Sequence, residues 1–480
     1  MCRQPSVYDI VGVGFGPSNL ALAIGLAEHN ASTSPDDATT RVFLERQPHF
    51  GWHRGMLLDD ATMQVSFLKD LVTMRNPTSE FSFLCYLQAK ERLVDFINHK
   101  NLFPLRVEFH DYLEWAAAKV DDVVTYGHEV VGVRPVWEGG ALTAFDVHVR
   151  RASGPRDAQG SEEVSQGAVY RARNLVLGTG LRPYLPEGAT SSRRIWHSSE
   201  LLDKVDNLAA ATPTPERFVV VGSGQSAAEV TAYLHGRFPS AEVCGVFSRY
   251  GYSPADDSAF ANRIFDPGAV DEFFGAPEDV KRTLLDYHAN TNYSVVDIDL
   301  IDELYRRVYQ ERVLGNQRLR VCNASRVAEV VENPSGVRTV VESLTTGDKE
   351  VLDADVVVYA TGYQPADPAG LLGDVARHLR RDSAERLSVG RDYRVVTAPE
   401  VRAGIYLQGG TEHTHGITSS LLSNTAVRAG EILASVAATG RAERSEQSAE
   451  RSVRPGERSS GGQPATREYA VSAASASSAS

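Results

Sequence analysis

The sequence predicts an α/β fold with two Rossmann-like dinucleotide-binding domains and a small, mainly helical substrate-binding subdomain. Three observations predict it. The apolar run Ile10–Val13 passes into Gly12, Gly14 and Gly16, and a helical pattern of Leu20, Ala21, Ala23, Ile24, Leu26 and Ala27 follows from Ser18. A second run, Phe218–Val221, enters Gly222 and Gly224, with Ala227 in the third glycine's place. The stretch Pro254–Val313 is too helical to be a plain crossover between strands. Strand, glycine turn and helix open a dinucleotide site. The first glycine turns the chain, the second lets the backbone approach a pyrophosphate, and the helix N-terminus offers free N–H groups and a positive dipole end. In the first unit Pro17 replaces the third glycine, and proline suits the first turn of a helix.

Composition sets the bounds. At 480 residues the chain suits two or three domains. Its 42% hydrophobic and 23% charged residues are ordinary for a globular protein. A net charge of −13 argues against nucleic acid as a partner. No apolar run approaches the roughly 20 residues that a membrane helix needs. Asp9 and the glycines break up the N-terminal apolar stretch, so it is expected to be strand and turn, not a signal peptide. Cys2, Cys85, Cys244 and Cys322 are scattered without a Cys-x-x-Cys, which indicates neither a redox dithiol nor a zinc site. Reduced thiols in a cytoplasmic protein are the expectation. His413 and His415, two apart on a loop, are poor metal geometry, and no metal is expected.

The elements follow in order. Arg41–Glu45 is the second strand, and Glu45 at its end would accept hydrogen bonds from a ribose diol. The distance from Gly12 exceeds the usual roughly 20 residues, and the polar insertion Asn30–Thr40 accounts for the excess. Trp52, His53 and Gln64 come soon after the ribose acid and are residue types that could line a flavin ring. Lys69 lies among Phe67, Leu68, Leu71 and Val72. Such a lysine either snorkels to water or, held in a cleft, binds an anion such as a carboxylate; spacing alone favours the first. Phe81–Lys90 and Arg106–Val120 read as helices, Val123–Val136 and Phe145–Arg150 as strands, Arg151–Gly167 as a hairpin loop and Pro186–Pro215 as a crossing linker. Asn174–Gly180 and Asp355–Tyr363 are buried strands running into Thr-Gly turns, the latter at Thr361-Gly362, and both are expected to pass close to cofactors.

The strand Glu242–Phe247 of the second unit ends in Ser248-Arg249 rather than in an acid. That pair suits the 2′-phosphate of NADPH, which a carboxylate would repel. Helical stretches Ala269–Phe274, Pro277–Ala289 and Asp299–Arg312 form the expected subdomain, with Asn262 and Asn292 as polar contacts or as turn residues. Gly404–Gly410 is a last strand, followed by a helix to about Ala437. From Thr439 the chain has almost no large apolar residue and is expected to be disordered. The expected division is 1–212 for the first part of one nucleotide domain, 213–355 for the other including a helical piece at about 254–315, 356–438 for the second part of the first, and 439–480 for the tail.

Together these stretches resemble the microbial N-hydroxylating flavin monooxygenases, the lysine N6- and ornithine N5-hydroxylases, over about Tyr8 to Val436. The resemblance is carried by Gly12-x-Gly-x-Gly-Pro-Ser-Asn-Leu20, Ser66–Leu71, Gly222–Glu229, Asp256-Asp-Ser258 with Asn262, Thr291–Ser294, Ala360–Tyr363, His415-Gly416 and Leu421–Ser423. It implies FAD on Gly12, Gly14, Gly16, Pro17 and Glu45, with Trp52, His53, Gln64 and Leu422 near its ring and Thr361 and Gly362 close by. It implies NADPH on Gly222, Gly224, Gln225, Ser226, Arg249 and Asn292. Lys69, Gln64, Asn262, Asn292 and Ser423 would contact the substrate, and Asn292 and Ser226 would serve catalysis. On this resemblance Lys69 changes from bystander to carboxylate anchor.

The implied reaction is N-hydroxylation of L-ornithine to N5-hydroxy-L-ornithine for a hydroxamate siderophore or related peptide. NADPH reduces FAD, O2 adds as a C4a-hydroperoxide, and the substrate's neutral amine attacks the distal oxygen. The distance from anchor to flavin would separate ornithine from lysine, although one methylene is worth only about 1–3 kcal/mol. Relatives of this kind are dimers or tetramers, so a homo-oligomer is expected. The rival readings are a lysine N6-hydroxylase, another flavin monooxygenase, or a non-enzymatic flavin-binding redox sensor.

Overall fold

A computed structural model of the chain describes residues 6–151, 167–209 and 214–453. The strand Val7–Val13 lies inside a seven-stranded sheet, parallel to Arg41–Leu44 on one side and to Ala168–Leu177 on the other. The last strand, Gly404–Leu407, runs parallel to the C-terminal half of Ala168–Leu177. Ala141–Arg151 pairs antiparallel with its N-terminal half, and His128–Glu138 closes that edge. Strand periodicity sorts the core. Ile10 faces the helix Pro17–Ala31 and an aromatic cluster of Phe83, Phe109 and Tyr112, whereas Val11 and Val13 face a second cluster with Leu175, Leu372 and Ile405. A sheet covered on both faces explains why these strands read as continuous apolar runs.

The second sheet is all parallel, in the spatial order Leu319–Cys322, Glu242–Val246, Arg217–Val221, Val356–Tyr359, Ile195–His197. Phe218, Val220, Val243, Val356 and Val358 pack on the side of the helix Gln225–Arg237. Val219, Cys244, Val246 and Val357 pack against a three-stranded antiparallel sheet of Ser325–Glu332, Val337–Ser343 and Lys349–Ala354. The helical subdomain consists of Pro267–Gly275, Glu278–His288 and Ile298–Leu314, within two residues of the predicted stretches.

Three expectations need correction. The segment Pro186–Pro215 is more than a crossing linker: it carries the edge strand Ile195–His197, with Trp196 1% exposed, and the helix Leu201–Ala209. The second sheet therefore takes strands from both sides of the expected boundaries at 212 and 356. A three-residue strand is too short to show a period, and its partner lies far along the chain. Second, the antiparallel sheet of residues 325–354 was not expected. Third, the helix Thr425–Val453 runs beyond Ala437 and into the expected tail. Ala, Glu and Arg are strong helix formers, and prolonging a formed helix carries no nucleation cost. Most of the predicted hairpin loop, 152–166, and the rest of the tail, 454–480, lie outside the described residues. Among the described residues no helix is long and apolar enough to cross a membrane.

Candidate active site

The first glycine turn is held by close backbone packing. Gly14 has φ +82°, and a Cβ there would lie 2.6 Å from the Gly178 carbonyl oxygen of the neighbouring turn. The Asn19 carboxamide donates to the Gly14 carbonyl at 2.7 Å from inside the helix. Gly16 is the N-cap of the helix Pro17–Ala31 and supplies no side-chain cap, so the first N–H groups of the helix stay unpaired by side chains. Nothing lies within 4 Å of where a Gly16 Cβ would point. Glu45 ends the next strand and is 6% exposed, not a solvated surface acid. One of its oxygens accepts the Phe15 N–H at 2.7 Å and the other the Gln47 N–H at 2.8 Å. Each oxygen keeps a lone pair for a ribose hydroxyl. An open helix N-terminus beside a fixed strand-end acid fits an adenine dinucleotide such as FAD.

Trp52, His53 and Tyr363 meet edge to face, with His53 at 4.7 Å from Trp52 and 5.8 Å from Tyr363 between ring centroids. His53 is reachable by solvent yet recessed. Desolvation by the surrounding protein, with the Arg106 charge adding, pushes its pKa down to about 4. Below His53, Arg106 donates to both oxygens of Glu229 at 2.9 and 2.7 Å and to the Met56 carbonyl at 3.0 Å. Gln64 is exposed.

The second turn repeats the first. Gly222 has φ +142°, and a Cβ there would come within 2.4 Å of the Ala360 carbonyl oxygen. Gly224 caps the helix Gln225–Arg237, again without a side-chain cap. A cleft of about 430 Å³ opens at the carboxyl ends of these strands, lined by Val221, Gly222, Ser223, Ser248 and Tyr359. Ligands of parallel sheets lie in that place, and the serines and the uncapped helix suit a phosphorylated dinucleotide such as NADPH. Arg249, half-buried, donates to the Ser294 carbonyl at 2.8 Å and so ties the strand end to the helical subdomain. Gln225 bridges the Asp297 N–H at 2.8 Å and Glu229 at 3.0 Å, so its carboxamide is already engaged. Ser226 is half-buried beside it. Thr361 donates to the Tyr184 carbonyl, and the Gly362 carbonyl accepts from Tyr184 N–H and lies 3.0 Å from His197 Nε2. The two Thr-Gly turns thus lead into one small antiparallel pair, Leu181–Pro183 with Tyr363–Pro365.

Lys69 is half-buried, with Nζ 5.6 Å from the centroid of the Phe265 ring. Desolvation lowers its pKa, and Asp266 opposes this. No hydrogen bond or ion pair satisfies Nζ among the described residues. Phe265 belongs to the turn Ala261–Phe265 that also carries Asn262, whose side chain donates to the Asp257 carbonyl at 2.7 Å. The Phe265 carbonyl accepts from Asn424 at 3.2 Å, beside the buried Ser423. Leu422 packs, like Trp52 and Phe67, on the first core. Lys69 and Asn424 therefore both reach Phe265, while the Asn262 side chain of the same turn is engaged by the Asp257 carbonyl. Asn292 hydrogen-bonds Tyr293, whose hydroxyl donates to Glu412 at 2.7 Å. Burial raises the pKa of Glu412, against the effect of the tyrosine bond.

The sequence reading missed Arg106, Glu229 and Glu412. Glu412 sits in Thr411–His415, a stretch read for its histidines. Those histidines lie in the short helix Glu412–His415 rather than on a loop, and both are engaged within the protein. His415 is 1% exposed and stacks on Tyr393 at 4.0 Å, and His413 Nε2 is 2.8 Å from the Leu387 carbonyl.

Residues 6–365 match the family described as L-lysine 6-monooxygenase/L-ornithine 5-monooxygenase. The L-ornithine N(5)-monooxygenase of Burkholderia cepacia is 42% identical over 419 residues, 86% of this chain and 91% of that protein. The structure of the Kutzneria sp. 744 ornithine N-hydroxylase, with reduced FAD, NADP+ and L-ornithine, superposes with a TM-score of 0.83 at 46% identity, over 90% of this chain and 99% of that one. The L-lysine 6-monooxygenase of Pseudomonas syringae gives 0.75 at 31% identity, with 90% and 99% covered. The chain belongs to the L-lysine 6-monooxygenase/L-ornithine 5-monooxygenase family.

Proposed function

We propose that this protein hydroxylates the side-chain amine of L-ornithine, giving N5-hydroxy-L-ornithine, with FAD as cofactor, NADPH as reductant and O2 as the oxygen source. The observation that carries the reading is Lys69: a half-buried cation with no ion pair among the described residues, set against Phe265 of the turn that carries Asn262. Such a cation calls for an anion, and an amino acid's carboxylate supplies one.

When bound, the cofactors supply the hydride and activate oxygen, and the chain positions and shields. Gly12, Gly14, Gly16, Pro17 and Glu45 hold the FAD diphosphate and ribose, and Trp52, His53, Gln64 and Leu422 border its ring beside Thr361 and Gly362. Gly222, Gly224, Gln225, Ser226 and Arg249 hold NADPH. Gln225 does so by fixing the helix N-terminus through Asp297 and Glu229. Asn292 touches nicotinamide and substrate, and Asn292 and Ser226 are the residues assigned to catalysis. Lys69, Asn262, Gln64 and Ser423 grip the amino-acid end.

The amine must be neutral to react, and its unperturbed pKa is about 10.4. The surroundings favour the neutral form. His53 stays uncharged at neutral pH, and the pKa of Glu412 is raised by burial. The product is an N-hydroxylated amino acid, ready for acylation to a hydroxamate of the siderophore kind. Free thiols at Cys85, Cys244 and Cys322 support a reducing, cytoplasmic setting. In this reading the chain works as a homo-oligomer.

The test is NADPH oxidation and hydroxylamine formation with ornithine, with lysine and without substrate. Ornithine-dependent hydroxylamine is the expected result. Equal turnover of lysine would remove the length discrimination. NADPH oxidation without hydroxylamine under every condition would leave a redox protein of another kind.

A further inference from the structure

We infer that Arg428 is a positioning residue for FAD: a buried counter-charge for the dinucleotide's diphosphate at the first glycine turn. The inference rests on the reading of that turn as the FAD site.

Arg428 is 2% exposed, among the largest fully buried side chains. Its guanidinium donates to Gln408 Oε1 at 2.9 Å, to Ser18 Oγ at 3.0 Å, to Thr425 Oγ1 at 3.4 Å and to the Ser419 carbonyl. Every one of these acceptors is neutral. No carboxylate pairs with it among the described residues. The nearest acid on its own helix, Glu431, is already held in a two-pronged pair by Arg391 at 2.9 and 2.8 Å. A buried charge without an opposite charge is costly, and neutral hydrogen bonds return only part of that cost.

Its contacts lead to the first glycine turn. Ser18 lies in the first turn of the helix Pro17–Ala31, and Gln408 also donates to the Ser18 carbonyl at 3.1 Å. Arg428 and Gln408 therefore clamp the turn whose free N–H groups would receive a diphosphate. The guanidinium adds a fixed full charge behind the partial charge of the helix dipole.

A purely mechanical role is the alternative. Arg428 also ties the segment 417–425, which carries Leu422 and Ser423, to the FAD helix, so its loss could act on substrate binding alone. Two variants separate the cases. Arg428→Lys keeps the charge and loses the planar fork, whereas Arg428→Gln loses the charge and keeps donors. The measurements are the FAD dissociation constant by flavin fluorescence at low and high salt, the melting temperature of each protein with and without FAD, and the KM for ornithine.

The expected result is FAD binding at least tenfold weaker in Arg428→Gln, within about threefold of the parent in Arg428→Lys, with a smaller salt dependence in the glutamine variant. Equal FAD affinity in both variants, whether weakened or not, would overturn the inference, as would a change confined to the KM for ornithine. If Arg428→Gln does not fold, the lysine variant still decides: a loss of FAD affinity of tenfold or more despite a retained fold refutes the charge role. A parent protein that binds no FAD at all would instead refute the functional reading.

Discussion

Arg106 and Glu229 meet in a two-pronged ion pair, at 2.9 and 2.7 Å, that fastens the helix Arg106–Ala118 to the helix of the second glycine turn. Glu229 is buried and Arg106 nearly so, at 6% and 13% exposure. The pair joins stretches that read as separate nucleotide units in the sequence, and it also fixes Gln225 through Glu229. Removing one partner strands the other charge, which costs about 3–5 kcal/mol. Arg106→Ala and Glu229→Ala should each lower the melting temperature clearly, and the double variant should lose less than the sum. A double variant whose loss equals the sum would show that the two residues do not couple.

Gly16→Ala should leave the apoprotein's melting temperature unchanged and still weaken FAD. The backbone at Gly16, φ −85°, suits any residue, and nothing within 4 Å meets a Cβ there. The free space is what a diphosphate would fill. A tenfold weakening, about 1.4 kcal/mol, is the expected scale. Gly14→Ala differs, because φ +82° and the Gly178 oxygen at 2.6 Å make that change disruptive even without cofactor. An unaltered FAD affinity in Gly16→Ala would move the diphosphate elsewhere.

Lys69→Ala should raise the KM for ornithine while NADPH still reduces the bound flavin. A hydrogen bond to a charged group contributes about 1.5–3 kcal/mol, so the rise should be roughly 10- to 150-fold. Loss of FAD in this variant would mark Lys69 as a structural residue.

Stability should decline as the medium is acidified from about pH 6.5 toward pH 4, in part through His415. Burial pushes its pKa down to about 4 from 6.5. The unfolded chain therefore takes up the proton first, and the stability present above pH 6.5 is lost as the pH falls through that window. The contribution is at most about 3 kcal/mol for this one group. Urea unfolding at several pH values, for the parent and for His415→Phe, measures it. Identical slopes in the two proteins would exclude His415 as a source.

The helix Ile298–Leu314 should mediate self-association with a second copy of the chain. Its outer face leaves Ile298, Tyr305, Tyr309 and Val313 exposed at 54%, 73%, 62% and 66%. Asp302 and Arg312, both exposed, flank the tyrosines symmetrically. An antiparallel pair of such helices sets Asp302 opposite Arg312 and Tyr305 opposite Tyr309, which is the self-complementarity that a twofold interface needs. Light scattering should show a dimer or a larger assembly, and Tyr305→Glu should reduce it. A monomeric parent at micromolar concentration would rule this surface out.

Both glycine turns, the buried strands that feed them and the helical subdomain were legible in the residues. Each rests on a local pattern: an apolar run, a glycine in the left-handed region or under a neighbouring carbonyl, an apolar helix stripe. The reading of Lys69 as a carboxylate anchor comes from the resemblance alone, because its neighbours in sequence suit a lysine that reaches for water. The edge strand Ile195–His197 was not legible, since three residues show no period and its partner, Val356–Tyr359, is distant. The continuation of the last helix was misjudged, because the lack of large apolar residues rules out a core but does not rule out a helix.

What the sequence determined by itself was chemistry within reach of one turn or one strand: where a diphosphate can approach the backbone, and which strand end carries an acid and which a base. The tertiary structure alone decided which side chains face one another across long stretches of chain. It set Lys69 against Phe265, Arg106 against Glu229, Tyr293 against Glu412, and Arg428 behind Ser18. Local preference acts over a few residues, whereas the cost of burying a charge or a polar group is settled only by the groups that packing brings to it.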